Sequence, residues 1–189
     1  MPTKISEKTK FQGRIFCIKD VLVRHDNGKE FSYEVMQGRG GSNNAMIVAI
    51  DYKQQVVLVN EYFAGINKTR LCVPKGRIDP GESALQTAKR ELEEEAGYVA
   101  RKFKLLGRFY LSPGYSDQES FIYLATGLSK PKNPRKGDEV EPLEVVLVPL
   151  SKAVAMAKSG KISEARAVTG LLLAEQVINC SKRKTKKRK

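Results

Sequence analysis

Residues 83–96 constrain this chain more than any other segment. Leu85, Ala88 and Leu92 fall at i, i+3 and i+7, the apolar stripe of an amphipathic helix. Ser83 opens that stretch and Gly97 stops it. The other faces are the unusual part. Glu91, Glu93, Glu94 and Glu95 put four acids within five positions at the end where the helix dipole favours cations. Lys89 and Arg90 each stand one turn before an acid, Glu93 and Glu94, and can offset its charge. Glu91 and Glu95 have no such partner, and at i and i+4 they share a face and repel. A solvated acidic face is the commoner explanation of such a helix taken alone. A bound divalent ion is the alternative, and it removes both conflicts. Oxygen donors without histidine or thiolate select a hard ion, magnesium or manganese, over zinc or copper.

Composition narrows the remaining chemistry. The chain has one histidine, His25, beside the turn residues Asp26, Asn27 and Gly28, which excludes a multi-histidine metal site and argues against a Ser-His-Asp triad. Three cysteines, Cys17, Cys72 and Cys180, lie far apart without CxxC spacing, so they read as reduced thiols rather than a disulfide framework or zinc site. At 189 residues with 41% hydrophobic composition, one domain with a sizeable core is expected. No apolar run approaches the roughly 20 residues that a membrane-spanning helix needs. The first ten residues lack the apolar region of a signal peptide, so the expected location is the cytoplasm, with no membrane partner. Of the net charge of +13, seven positive charges fall in the last nine residues, which leaves +6 for the rest. That tail, residues 181–189, reads as a disordered, solvated charge run in preference to a nucleic-acid contact.

Along the chain, residues 14–37 read as two strands around the turn at Asp26, and 38–44 as a loop. Strands are expected at 46–50, 56–62, 71–73, 103–111, 119–125 and 143–150, and closing helices at 151–158 and 164–178. Mostly strands, one central helix and terminal helices predict an α+β domain with a mixed sheet. The expected divisions are an extension at 1–13, a hairpin element at 14–41, a main domain at 42–180 and the basic tail.

The residues before the acidic helix sharpen this reading. Gly76 is followed by five residues and Glu82, then by seven more and Arg90-Glu91-Leu92. One residue later come Glu94-Glu95, and Gly97 follows Ala96. This segment resembles the Nudix box, a loop-helix-loop motif presenting carboxylates to ions that bridge a diphosphate. Only Tyr98 departs, where the family usually has a bulky aliphatic. The resemblance implies a mixed sheet sandwiched between helices (α/β/α) preceded by an N-terminal β-hairpin. It also implies magnesium, with manganese as the alternative ion.

The same resemblance assigns roles. Glu91 and Glu95 are the principal metal ligands, Glu94 is a third ligand within the catalytic set, and Glu82 supports the same ions. The Lys75 carbonyl is a further ligand, and Arg90 orients a glutamate by pairing with it. In similar enzymes the general base comes from a loop after the box, which matches residues 137–142. Glu139 is then the base and Glu141 an additional ligand, against the alternative of a solvated acidic loop. Lys89 is expected to hold Glu93 outward. Pro113, fifteen residues beyond Tyr98, resembles the ADP-ribose pyrophosphatase subgroup, and segments 137–142 and 161–166 resemble bacterial ADP-compounds hydrolases. The implied reaction is hydrolysis of ADP-ribose or a related ADP-X compound to AMP and a phosphorylated fragment. A dinucleotide hydrolase (NADH, diadenosine polyphosphates) and an RNA-associated Nudix protein using the tail are the alternatives. Candidate substrate contacts are Arg39, Glu61, Arg70 and Tyr115, and residues 14–41 are the candidate homodimer element.

Overall fold

Residues 45–50 and 56–59 are apolar at every position, a pattern suited to strands buried on both faces. The computed structural model describes residues 1–38, 43–137 and 142–186, with side chains as far as Ser181. The elements are β1 (Thr3–Gln12), β2 (Phe16–Arg24), β3 (Glu30–Gly38), β4 (Asn44–Ile50), β5 (Gln55–Phe63), β6 (Lys68–Cys72) and β7 (Lys75–Arg77). These are followed by α1 (Ala84–Ala96), β8 (Val99–Tyr110), β9 (Glu119–Ser129), β10 (Glu144–Pro149), α2 (Leu150–Lys158) and α3 (Ala165–Lys186).

Among the described residues β10, β5, β4, β9 and β8 form a mixed sheet in that order, with β6 beside β5 and β7 beside β4. β4 and β9 run parallel, whereas the other pairs in this sheet are antiparallel. The two apolar strands divide their alternating side chains between two cores. Met46, Val48, Ile50, Val56 and Leu58 pack with Ala153, Val154, Ala167 and Leu171 of α2 and α3. Ala45, Ile47, Ala49, Val57 and Val59 pack with Ala88 and Leu92 of α1. The result is the expected three-layer sandwich, with the acidic helix alone on its face among the described residues.

α1 starts at Ser83, whose hydroxyl accepts from the Gln86 N–H at 3.3 Å while the Gln86 side chain accepts from the Ser83 N–H at 2.8 Å. This reciprocal capping box satisfies two otherwise unpaired donors. At the other end Gly97 adopts φ 67°, a left-handed conformation that favours glycine. Its N–H donates to the Glu93 carbonyl at 2.9 Å, and the Tyr98 N–H to that of Leu92 at 3.3 Å. The buried stripe differs from the expected one. It comprises Ala88, Leu92 and Ala96, whereas Leu85 is 37% exposed. Leu85 shares the face of these residues, since three and seven residues carry it almost whole turns from Ala88 and Leu92, but it stands in the first turn of the helix, where it stays partly in solvent. Ser83→Ala should destabilise the fold by about 1 kcal/mol, read as a lower midpoint in urea unfolding with an unchanged slope.

A separate sheet pairs β1, β2 and β3 in that order. The β2–β3 hairpin was legible, but β1 was not, because every one of its residues is exposed and no apolar alternation marks it. It pairs with β2 in antiparallel register from Thr3–Arg24 to Gln12–Cys17, and the ion pairs Lys10–Asp20 and Lys19–Glu7, each at 2.7 Å, join the two strands. At the other terminus α3 continues past the expected end at residue 178 to Lys186, into the stretch expected to be unstructured. Lysine and arginine are good helix formers and extend it readily. No helix among the described residues is long and apolar enough to cross a membrane.

Candidate active site

The short strand β7 ties the acidic helix to the sheet. Lys75 pairs with Met46 and Gly76 with Ala45 along β4, and the Ile47 N–H donates to the Pro74 carbonyl at 2.9 Å. Two glutamates of α1 meet this strand. Glu95 accepts from the Lys75 backbone N–H at 2.8 Å. Glu91, only 7% exposed, lies so close over Gly76 that a Cβ there would fall 1.8 Å from its Oε1. Gly76 is therefore required for space, not for its own backbone torsions. From β5, the Glu61 carboxylate is ion-paired with the Lys75 ammonium, which also lies 5.0 Å over the Phe63 ring. Glu61, Lys75 and Gly76 line a cleft of about 300 Å³ shared with Ile15, Phe16 and Arg166.

Arg90 organises the other side of the helix. Its Nε and Nη2 donate to the two oxygens of Glu82 at 3.0 Å each, and its Nη1 donates to Glu91 at 2.6 Å and Glu94 at 3.0 Å. Nη2 also reaches the Arg77 carbonyl at 3.1 Å. The Arg90 guanidinium holds the Glu82 carboxyl down at about 2, helped by a 2.8 Å hydrogen bond from the Thr87 hydroxyl. Glu95 is driven the other way. Burial, reinforced by the negative charges of Glu91 and Glu61, pushes its carboxyl up to about 8 despite the Lys75 N–H and ammonium. A neighbouring cation would relieve that penalty.

These donors fit a hard divalent ion in chemistry: carboxylate oxygens, a peptide carbonyl at Lys75, and no histidine or thiolate. Among the described residues no three acidic groups are gathered for an ion as they stand, and Arg90 bridges Glu82, Glu91 and Glu94. Glu91 and Glu94 would turn from that guanidinium to face an ion.

The remaining expected residues divide. Arg39, Glu139 and Glu141 lie outside the described residues. Arg70 sits opposite Glu61 in the β5–β6 register but lines a different hollow, with Phe63, Ile66 and Glu164, and its Nη1 donates to the Thr69 carbonyl at 3.0 Å. Tyr115 is exposed, and its carbonyl accepts from the Met36 N–H at 2.7 Å, so its loop meets the N-terminal sheet. Neither belongs to the cleft lining. Glu93 is held by Arg135, through the backbone N–H at 3.1 Å and Nε at 3.5 Å, and not by Lys89. The helix-period argument missed a partner that arrives from the loop after β9. Arg166 was given no role although segment 161–166 shared in the family resemblance, because no local pattern reports that the start of α3 reaches the cleft. Cys72 is buried, and its thiol is pushed up to about 12, which suits an inert core residue.

Known proteins resemble this chain over most of its length. The NUDIX domain family profile matches residues 42–169. The chain is 30% identical over 162 residues to an ADP-ribose pyrophosphatase of Bacillus subtilis (strain 168), covering 86% of each chain. It is 32% identical to the ADP compounds hydrolase NudE of Escherichia coli (strain K12), covering 93% of this chain and 92% of that one. A solved crystal structure of an ADP compounds hydrolase superposes with a TM-score of 0.86 at 32% identity, covering 95% of both chains.

Proposed function

The chain belongs to the NUDIX family, and from that premise we propose that it hydrolyses the diphosphate bond of ADP-ribose or a related ADP-X compound, releasing AMP and a phosphorylated fragment. The observation that carries this reading is the gathering of Glu61, Glu91 and Glu95 around Lys75 and Gly76 at the cleft. Divalent metal, magnesium in this reading with manganese as the alternative, supplies neutralisation of the diphosphate oxygens and acidification of the attacking water. Glu91 and Glu95 would hold it, with Glu94, Glu82, Glu141 and the Lys75 carbonyl completing the set. Arg90 orients Glu91 and Glu94 through its guanidinium fork. Glu139 takes the proton from water as the P–O bond breaks. Glu61 enters the reading as a cleft residue, whereas Arg70 and Tyr115 lie outside that lining.

Turnover measured with magnesium on ADP-ribose, NADH, diadenosine polyphosphates and capped RNA tests this. ADP-ribose or another ADP-X compound should be cleaved fastest, and failure to cleave any of the four would sink the proposal. Glu139→Gln should lower kcat by about 10²–10⁴-fold, the usual span for a general base, with KM little changed. An unaltered kcat would move the base elsewhere.

The proposal extends to a cytoplasmic homodimer built through residues 14–41, with residues 42–180 as the hydrolase domain. Phe31 of this element is 60% exposed and Ile15 48%, apolar surface that a dimer contact would cover. Light scattering should give twice the 21.1 kDa chain mass, and Phe31→Asp should shift it toward the monomer. A monomeric wild-type protein would end the dimer proposal.

A further inference from the structure

The cleft has one wall from the start of α3, where Arg166 lines it together with Glu61, Lys75 and Gly76. Its side chain is only 21% exposed. Its position is set by Glu164, whose two oxygens do different work. One accepts from the Ala167 N–H at 2.8 Å and caps α3, and the other accepts from the Arg166 Nε at 2.6 Å. The helix end is thus served without help from the arginine. Among the described residues the hydrogen bonds of Arg166 end at that Nε contact, so its two Nη groups are not spent on the protein there. The other cations lining the cleft are engaged, Lys75 by Glu61 and Arg77 by Asp79 at 3.6 Å.

A guanidinium held by its Nε edge, in a partly desolvated cleft, is preset to receive an oxyanion on its Nη pair. The geometry points to Arg166 as a binding residue for the substrate's diphosphate, with Glu164 as the residue that aims it. This rests on reading the cleft as a diphosphate-hydrolase site, and it adds a contact from an element far from the acidic helix in sequence. Arg70, outside the cleft lining, by contrast spends its Nη1 on the Thr69 backbone carbonyl.

The test compares the wild-type chain with Arg166→Gln, Arg166→Lys and Glu164→Gln. It reads KM and kcat for ADP-ribose with magnesium, calorimetric binding of magnesium-ADP, and the melting temperature. Arg166→Gln should raise KM and the ADP dissociation constant about tenfold or more, the scale of a lost charged hydrogen bond, with kcat nearly unchanged. Arg166→Lys keeps the charge but loses the fork, and should fall between. Glu164→Gln retains an acceptor for the α3 cap, so its melting temperature should hold while KM rises. Unchanged KM and ADP binding in both Arg166 variants, with a lowered melting temperature, would overturn the assignment and make Arg166 structural. If Arg166→Gln does not fold, the lysine variant decides by the same readings. Should the wild type bind ADP more tightly than the variants yet cleave no diphosphate, the Arg166 assignment stands and the proposed activity falls.

Discussion

Replacing Glu95 by glutamine is expected to cut magnesium-dependent kcat/KM by about two to three decades while the protein stays folded. Glutamine keeps the shape and an acceptor for the Lys75 N–H but removes the charge that an ion requires. Losing roughly 3–4 kcal/mol of transition-state charge stabilisation corresponds to that fall. Stability should move in the opposite direction. In the metal-free protein Glu95 has its carboxyl raised from 4.5 to about 8, so the folded state keeps a proton that the unfolded chain has released. Wild-type stability measured in EDTA should therefore decline as pH rises from about 4.5 through about 8, then level off. The glutamine variant should lack this decline and be the more stable of the two above pH 8. Near-wild-type turnover with magnesium would remove Glu95 from the ligand set. A pH profile identical in both proteins would contradict its desolvated setting.

Gly76→Ala is expected to disable the enzyme nearly as thoroughly, although it removes no ligand atom. The new methyl would lie 1.8 Å from Glu91 Oε1 and 2.0 Å from its Cδ, a distance no packing tolerates. The obstacle is the far end of a flexible side chain, so Glu91 swings away and the fold pays little. The catalytic arrangement does not survive that movement, since displacement of a reacting group by about 1 Å can cost a hundredfold. Activity should drop by about two decades with a melting temperature within a few degrees of wild type. Full activity in Gly76→Ala would mean that the Glu91 carboxylate is not needed where the structure puts it. A collapse in stability without metal would mean that Gly76 serves the strand and not the site.

Much of this site was legible because it is local. Helical periodicity alone sets Glu91 and Glu95 on one face, Ser83 and Gly97 bound the helix by cap chemistry, and the spacing from Gly76 to Gly97 identifies the motif. Errors arose where a residue answers to something distant. Leu85 was assigned to the core from its spacing and does share that face, but at the first turn of the helix it remains 37% exposed. Glu93 was paired with the cation one turn away, yet Arg135 reaches it from a loop. β1 carries no apolar signal because it stands in solvent, paired to β2 through the main chain and through ion pairs whose partners lie on another strand.

The chain's own order of residues determined a capped helix crowded with carboxylates, two strands too apolar to face water, and a donor set that admits only hard cations. Those properties depend on neighbours within a turn or a pleat, and local geometry is written directly in the spacing. Only the tertiary structure decided that Glu61 comes beside Lys75, that Glu91 needs the missing side chain of Gly76, and that Arg166 enters the cleft. Each joins segments that meet through sheet pairing and the packing of helices on opposite faces. Such meetings are chosen by the fit of the whole core, which no single stretch of sequence records.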